Sequence, residues 1–170
     1  VAPYVVHWGR RISDAQVQQI ADTSFASVMN SSFDRPRTRG LLDTVFQGNS
    51  GTPAIQWCTD EGKVFPFIVE QITADSRTIR IVYRARQSVG RCDDTSEVLA
   101  EVTQSFELDN SGVLSVKSSV RNAGRDGEKL FVSALNCLLP LPFRAQELVD
   151  FSGKWAHERD LQRQQLRNGS

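Results

Sequence analysis

From Thr78 to Arg86, apolar Ile79, Ile81 and Tyr83 alternate with Arg80, Val82 and Arg84. A period of two belongs to a strand with one buried and one wet face, because successive side chains leave the pleated backbone on opposite sides. Val98–Leu108 repeats the pattern, setting Val102, Gln104 and Phe106 against Thr103, Ser105 and Glu107. Asp109-Asn110-Ser111-Gly112 follows. Asn and Gly tolerate positive φ, and Asp and Ser bond the local backbone, so the chain turns there. Val113–Val120 resumes the alternation with Val116, Ser118 and Val120 on one side, which predicts a hairpin across that turn. Ala54–Cys58, Val64–Gln71, Lys129–Leu139 and the opening Tyr4–Gly9 read as further strands, with another turn at Asn122–Gly127. A last strand near Glu147, with Leu148 and Val149 or Phe151 inward, ends at Gly153. One helix is predicted, capped by Ser13 or Asp14 and running to Ala21, with Val17, Ile20 and Ala21 as its apolar stripe. Strands punctuated by Gly and Asn turns predict an antiparallel all-β sandwich with at most one or two short helices.

Composition narrows the function. The 170 residues suit one domain or two very small ones, and 39% hydrophobic with 24% charged residues is a globular composition. Twenty Lys+Arg balance twenty Asp+Glu, so the basic surplus of a nucleic-acid binder is missing and no such partner is expected. The longest apolar run, Leu138-Leu139-Pro140-Leu141-Pro142-Phe143, is broken by two prolines. It falls far short of the roughly 20 residues of a spanning helix, so no membrane partner is expected. Neither a basic start nor an apolar leader segment is visible, which points to the cytoplasm, although an opening Val1 gives the start the look of a cut.

Candidate chemistry is sparse. Cys58, Cys92 and Cys137 lack the paired spacing of a zinc site or a disulfide framework. Free thiols are the expectation, and one disulfide with a free thiol the alternative. His7 and His157 stand at opposite ends without ligands at metal spacing, so neither metal nor other cofactor is expected. No nucleophile elbow or glycine-rich phosphate loop occurs. Arg35, Arg37 and Arg39 read as a solvated loop, and Asp93, Asp94 and Glu97 as a solvated turn. No catalytic residue is assigned.

The aromatic segments say more. Val6-His7-Trp8-Gly9 resembles the opening of the amino-terminal domain of glycoside hydrolase family 36, which contains the α-galactosidases. Leu139-Pro140-Leu141-Pro142, then Ala145-Gln146-Glu147-Leu148, then Gly153-Lys154-Trp155-Ala156-His157-Glu158-Arg159 resemble the same family's ordered carboxy-terminal pattern. Asp160-Leu161-Gln162-Arg163 fits its tail. The two ends together span the whole chain in strand order.

The resemblance implies a β-supersandwich at 1–153 and a connecting segment at 154–170 leading to a (β/α)8 barrel that is absent from this sequence. In the family the barrel performs retaining hydrolysis of terminal α-galactosides, which needs two carboxyl groups about 5–5.5 Å apart. The family nucleophile follows Lys-Trp; here Ala156 follows Lys154-Trp155, so that carboxylate is missing. This 170-residue piece is therefore expected to be inactive by itself. Its implied work is to dock on the barrel through Trp8, Trp155, Glu158 and Arg159, to support a homo-oligomer and to edge the pocket for an α-galactoside. Gly48-Asn49-Ser50-Gly51-Thr52-Pro53-Ala54 occupies the place of a family loop that reaches a neighbour's active site. There Asn49 replaces Asp and Gly51 replaces Arg. Asn49 and Trp57 are the candidate sugar contacts, each against a structural reading as plain turn and core indole. Two other functions compete: a free-standing carbohydrate-binding sandwich with an exposed indole platform, and a purely structural sandwich.

Overall fold

The computed structural model describes residues 3–7, 9–24, 40–44, 46, 52–87, 96–139, 141, 145–155 and 157–166. The chain divides into two compact units, Val1–Val5 with Thr23–Leu139, and Val6–Asp22 with Pro140–Ser170.

Among the described residues the first unit holds six strands: β1 (Ile55–Thr59), β2 (Phe67–Ala74), β3 (Thr78–Arg86), β4 (Val98–Leu108), β5 (Leu114–Asn122) and β6 (Leu130–Leu135). β2-β3-β4-β5 form one antiparallel sheet and β1-β6 a second. The register of the large sheet follows the alternation. Tyr83 lies opposite Val102, which lies opposite Val120; Ile81 faces Gln104, which faces Ser118. One face therefore carries Ile81, Tyr83 and Ala85 from β3 and Ala100, Val102, Gln104 and Phe106 from β4, all buried. Ile55 and Trp57 of β1 join the same core, and the Trp57 ring meets Phe67 of β2 at 5.3 Å and 50°. A tilted ring pair of this kind adds to the burial of both rings. The result is an all-β sandwich.

Gln104 is the exception in that apolar row. It is 1% exposed, and a carboxamide sealed from water must find its partners inside the protein. The Tyr83 hydroxyl donates to its Oε1 at 3.0 Å. Its Nε2 donates to the Leu41 carbonyl at 3.1 Å and to Ser118 Oγ at 3.3 Å. Ser118 Oγ in turn lies 3.3 Å from Cys137 Sγ. Burial pushes the Tyr83 phenol pKa well up, so it remains a donor at any working pH. The Leu41 segment is held from its other side as well, its N–H donating to the Pro3 carbonyl at 2.8 Å.

The opposite face of the sheet is charged. Arg84 reaches Glu70 at 2.9 Å and Glu101 at 3.0 Å, Arg121 reaches Glu101 at 3.2 Å, and Arg86 reaches Glu70 at 3.1 Å. Signs alternate across all four strands. Like charges directly opposite one another would destabilise the pairing, so this order supports the register.

The second unit contains α1 (Asp14–Ser24), apart from its last two residues, and a hairpin of β7 (Glu147–Lys154) and β8 (His157–Gln165). α1 starts on a capping box. Gln16 N–H donates to Ser13 Oγ at 3.3 Å, and Ser13 N–H to Gln16 Oε1 at 2.9 Å. Two backbone donors that the helix leaves unmatched are satisfied reciprocally. Among the described residues, no helix is long and apolar enough to cross a membrane.

β3 and β4 have the bounds that the alternation predicts, and β4 and β5 pair across the Asp109–Gly112 turn. Several boundaries move. The strand expected from Val64 starts at Phe67, because Pro66 has no N–H for a ladder. β6 stops at Leu135, where Asn136 bonds Ala54 and Pro53 instead. The helix runs to Ser24 rather than Ala21. Tyr4–His7, expected as part of a strand, has no strand structure. Nor does β7 turn apolar residues inward: Leu148, Val149 and Phe151 are 45%, 46% and 68% exposed. Among the described residues its one sheet partner is β8.

Gln104→Leu should destabilise the domain by about 1–3 kcal/mol, because it strands the Tyr83 hydroxyl and the Leu41 carbonyl in the interior. Tyr83→Phe should cost about 1–2 kcal/mol by removing the donor to Gln104. Denaturant melts of both single variants and the double variant should show a double cost below the sum, since the two changes break one shared bond.

Candidate functional site

The β7–β8 hairpin gathers most of the residues singled out at the carboxy-terminal end. Its register pairs Val149 with Arg163 and Phe151 with Leu161, which places these four on one face. The other face carries Leu148/Gln164, Asp150/Gln162 and Ser152/Asp160. One side is thus centred on apolar Val149, Phe151 and Leu161, and the other is mainly polar. Arg163 Nη1 meets Glu147 Oε2 at 2.9 Å, and Gln165 donates to Glu147 Oε1 at 3.0 Å, closing the open end of the apolar side. Gln162 donates to Ser152 at 3.1 Å on the polar side.

At the closed end the pairing shifts between Ser152 and Lys154, and Trp155 stands in the turn. Trp155 is 94% exposed. An indole is a large apolar surface to leave in water, worth a few kcal/mol once covered. Glu158 and Arg159 are exposed beside it, and Arg159 adopts φ 65°, a left-handed conformation that a side chain with a Cβ rarely takes. The tip therefore brings together Trp155, Glu158 and Arg159, three of the four expected docking residues. The fourth, Trp8, lies outside the described residues, as do Asn49, the Arg35–Arg39 cluster, Cys92 and Asp93-Asp94. Trp57 is described and is 7% exposed, packed on Phe67.

A second concave feature lies over β1 and β6, a groove of about 320 Å³. Half-exposed Phe46 and Phe131 line it with Gln56, Ser133 and Thr44, and buried Trp57 contributes to its floor. Linear pattern gives no hint of this groove. Phe46 stands outside any periodic run, and Phe131 reads as one more apolar strand residue.

Some of the described carboxylates are held in their ionised form. Four have shifted pKa values, and all four move down, away from the raised value a general acid needs. Lys63, at 2.5 Å, holds Glu61 down by its hydrogen bond and then by its charge. Arg84 does most to hold Glu101 down, with Arg121 adding to it. Asp75 accepts the Arg77 and Thr78 N–H groups, both at 2.8 Å, in the β2–β3 turn. Asp109 accepts the Ser111 hydroxyl at 2.7 Å and the Ser111 and Val113 N–H groups at 2.8 and 2.9 Å. These acids organise turns and strand pairing. Among the described residues, no group of three or more His, Cys, Asp or Glu is arranged to hold a metal ion.

A family model described as the glycosyl hydrolase family 36 N-terminal domain matches residues 2–170. No curated protein and no solved structure matches the chain.

Lowered carboxylate values fix the sign of the acid response. Each such group stabilises the fold above its ordinary pKa, 3.8 for Asp and 4.5 for Glu, and that contribution is lost as the pH falls through the lowered native value. Melting temperature should therefore drop once the pH passes below 4.5 and keep dropping below 3.8. Asp109→Asn should be less stable than wild type at neutral pH and should show a shallower acid drop, as read by thermal melts across that range.

Proposed function

Because the chain belongs to the glycosyl hydrolase family 36 N-terminal domain family, we propose that it is the non-catalytic β-sandwich domain of an α-galactosidase-like hydrolase, docking on that enzyme's catalytic barrel. The observation that carries this reading is the exposed apolar side of the β7–β8 hairpin, Val149, Phe151 and Leu161, with Trp155 at its tip. A two-stranded hairpin is marginally stable alone in water. Covering its apolar side supplies the missing burial, and the charged groups Glu158, Arg159 and Lys154 around the tip give the contact a polar rim.

Chemistry supports the division of labour. A retaining hydrolase needs one carboxyl kept protonated as an acid and a second as nucleophile. The shifted carboxylates of this domain are all held ionised, by arginine, lysine, a serine hydroxyl or backbone donors. In this reading the barrel supplies both catalytic groups, and terminal α-galactosides are the substrates of the whole enzyme. The domain supports its homo-oligomer, and Asn49 contributes to the edge of the sugar pocket. Cys58 and Cys137 are free thiols, which suits work in the cytoplasm.

The 170-residue chain alone should hydrolyse no aryl α-galactoside, and a chain that also carries the barrel should. In that longer chain Trp155 should become resistant to quenching by iodide and its emission should shift to the blue. Phe151→Glu with Leu161→Glu should weaken association between separately produced domain and barrel by about tenfold or more, equivalent to about 1.4 kcal/mol. Turnover by the isolated domain that depends on one of its own carboxylates would place the chemistry here instead.

A further inference from the structure

We propose that the groove over β1 and β6 binds a neutral sugar ring. The inference rests on membership in a glycoside hydrolase family for the sugar, and on the groove itself for the site.

The groove's position is fixed by paired backbone. Cys58 lies opposite Phe131, and a bulge between Gln56 and Trp57 breaks the register one step further along. Bulges redirect side chains, and they recur beside binding sites. On the other flank, the Ala54 N–H donates to the Asp43 carbonyl at 2.8 Å, which ties the chain before Thr44 to the entrance of β1. Thr44 and Phe46 line the groove together with Gln56, Phe131 and Ser133.

The lining then selects the ligand. Among the described residues that line the groove, none is charged, so an anionic or cationic ligand would lose water without gaining a partner. Phe46 and Phe131 are 53% and 54% exposed. Their rings can cover the flat C–H face of a pyranose, an apolar surface edged with hydroxyls. Three neutral hydrogen-bonding side chains stand among them. Ser133 Oγ already donates to the Gln56 carbonyl at 3.4 Å, which leaves its lone pairs to accept. The Gln56 carboxamide offers both a donor and an acceptor, and Thr44 adds a hydroxyl. At about 320 Å³ the groove stands at the small end of the roughly 300–1,000 Å³ range of ligand clefts. A single sugar unit suits that size better than a long chain. Aromatic walls with a few neutral polar groups match a neutral polyol ring and suit neither a phosphate nor a peptide carboxylate.

The test is saturation-transfer NMR on the 170-residue chain with methyl α-D-galactopyranoside and methyl α-D-glucopyranoside, with cyclohexanol as an apolar control. Saturable binding of at least one glycoside is expected, weakened about tenfold by Phe131→Ala and unchanged by Arg80→Ala on the opposite sheet face. Phe131 is half exposed, so its loss should leave the fold intact. Ser133→Val is the second variant, and it should weaken the glycoside while sparing cyclohexanol. No saturable glycoside signal, or Phe131-dependent binding of cyclohexanol alone, would overturn the proposal, the latter marking a pocket for an apolar side chain. These outcomes are independent of barrel docking, which is read at Trp155 in the longer chain.

Discussion

Gln104 lies in the middle of the inward row of β4, where its carboxamide has no water and must be bonded by the protein. Tyr83 from β3, Ser118 from β5 and the Leu41 carbonyl converge on it. Three strands and one connecting segment are thereby fixed against each other by a single side chain. Apolar contacts alone are tolerant of small displacements, since one methyl group can replace another. A buried amide is not tolerant, because sliding a strand by one residue would turn it to the wet face and take its partners with it. The Leu41 segment leads directly to Asp43, Thr44 and Phe46. The anchoring of Gln104 is thus also the beginning of the wall of the groove.

The outer face of the same sheet solves the opposite problem. Its arginines and glutamates sit at partly exposed positions, where single ion pairs contribute little to stability. Alternation of sign across Glu70, Arg84, Glu101 and Arg121 still matters, because it makes one register agreeable and a shifted one repulsive. Such a face is comfortable in water. The hairpin of the second unit is different: its apolar Val149, Phe151 and Leu161 are themselves exposed. The contrast lies in what faces water: charge on the sheet, apolar side chains on the hairpin.

The hairpin's two sides were readable from sequence only once its partner strand was known. Leu148, Val149 and Phe151 are adjacent or nearly so, and without a register no rule says which of them share a face. Pairing with β8 sorts Val149 and Phe151 to the side of Leu161 and leaves Leu148 among glutamines and aspartates. The segment 154–170, read as a connector, contains that partner strand. Its polar, charged composition lacks the alternation of an inward-facing strand, and its described side chains are exposed along most of its length.

By itself the sequence determined the period-two strands from Thr78 to Val120, the turn at Asp109–Gly112, the capped helix and the family, since these depend on neighbours within a few residues or on motifs kept in order. Strand ends at Pro66 and Asn136 depend on single backbone donors and partners far along the chain. The burial of Trp57 on Phe67, the convergence on Gln104, the exposure of Trp155 and the groove between Phe46 and Phe131 were decided by tertiary structure alone. Each of them joins residues separated by many positions or by a sheet layer. A linear pattern records which face a side chain takes, and only packing decides whether anything stands over that face.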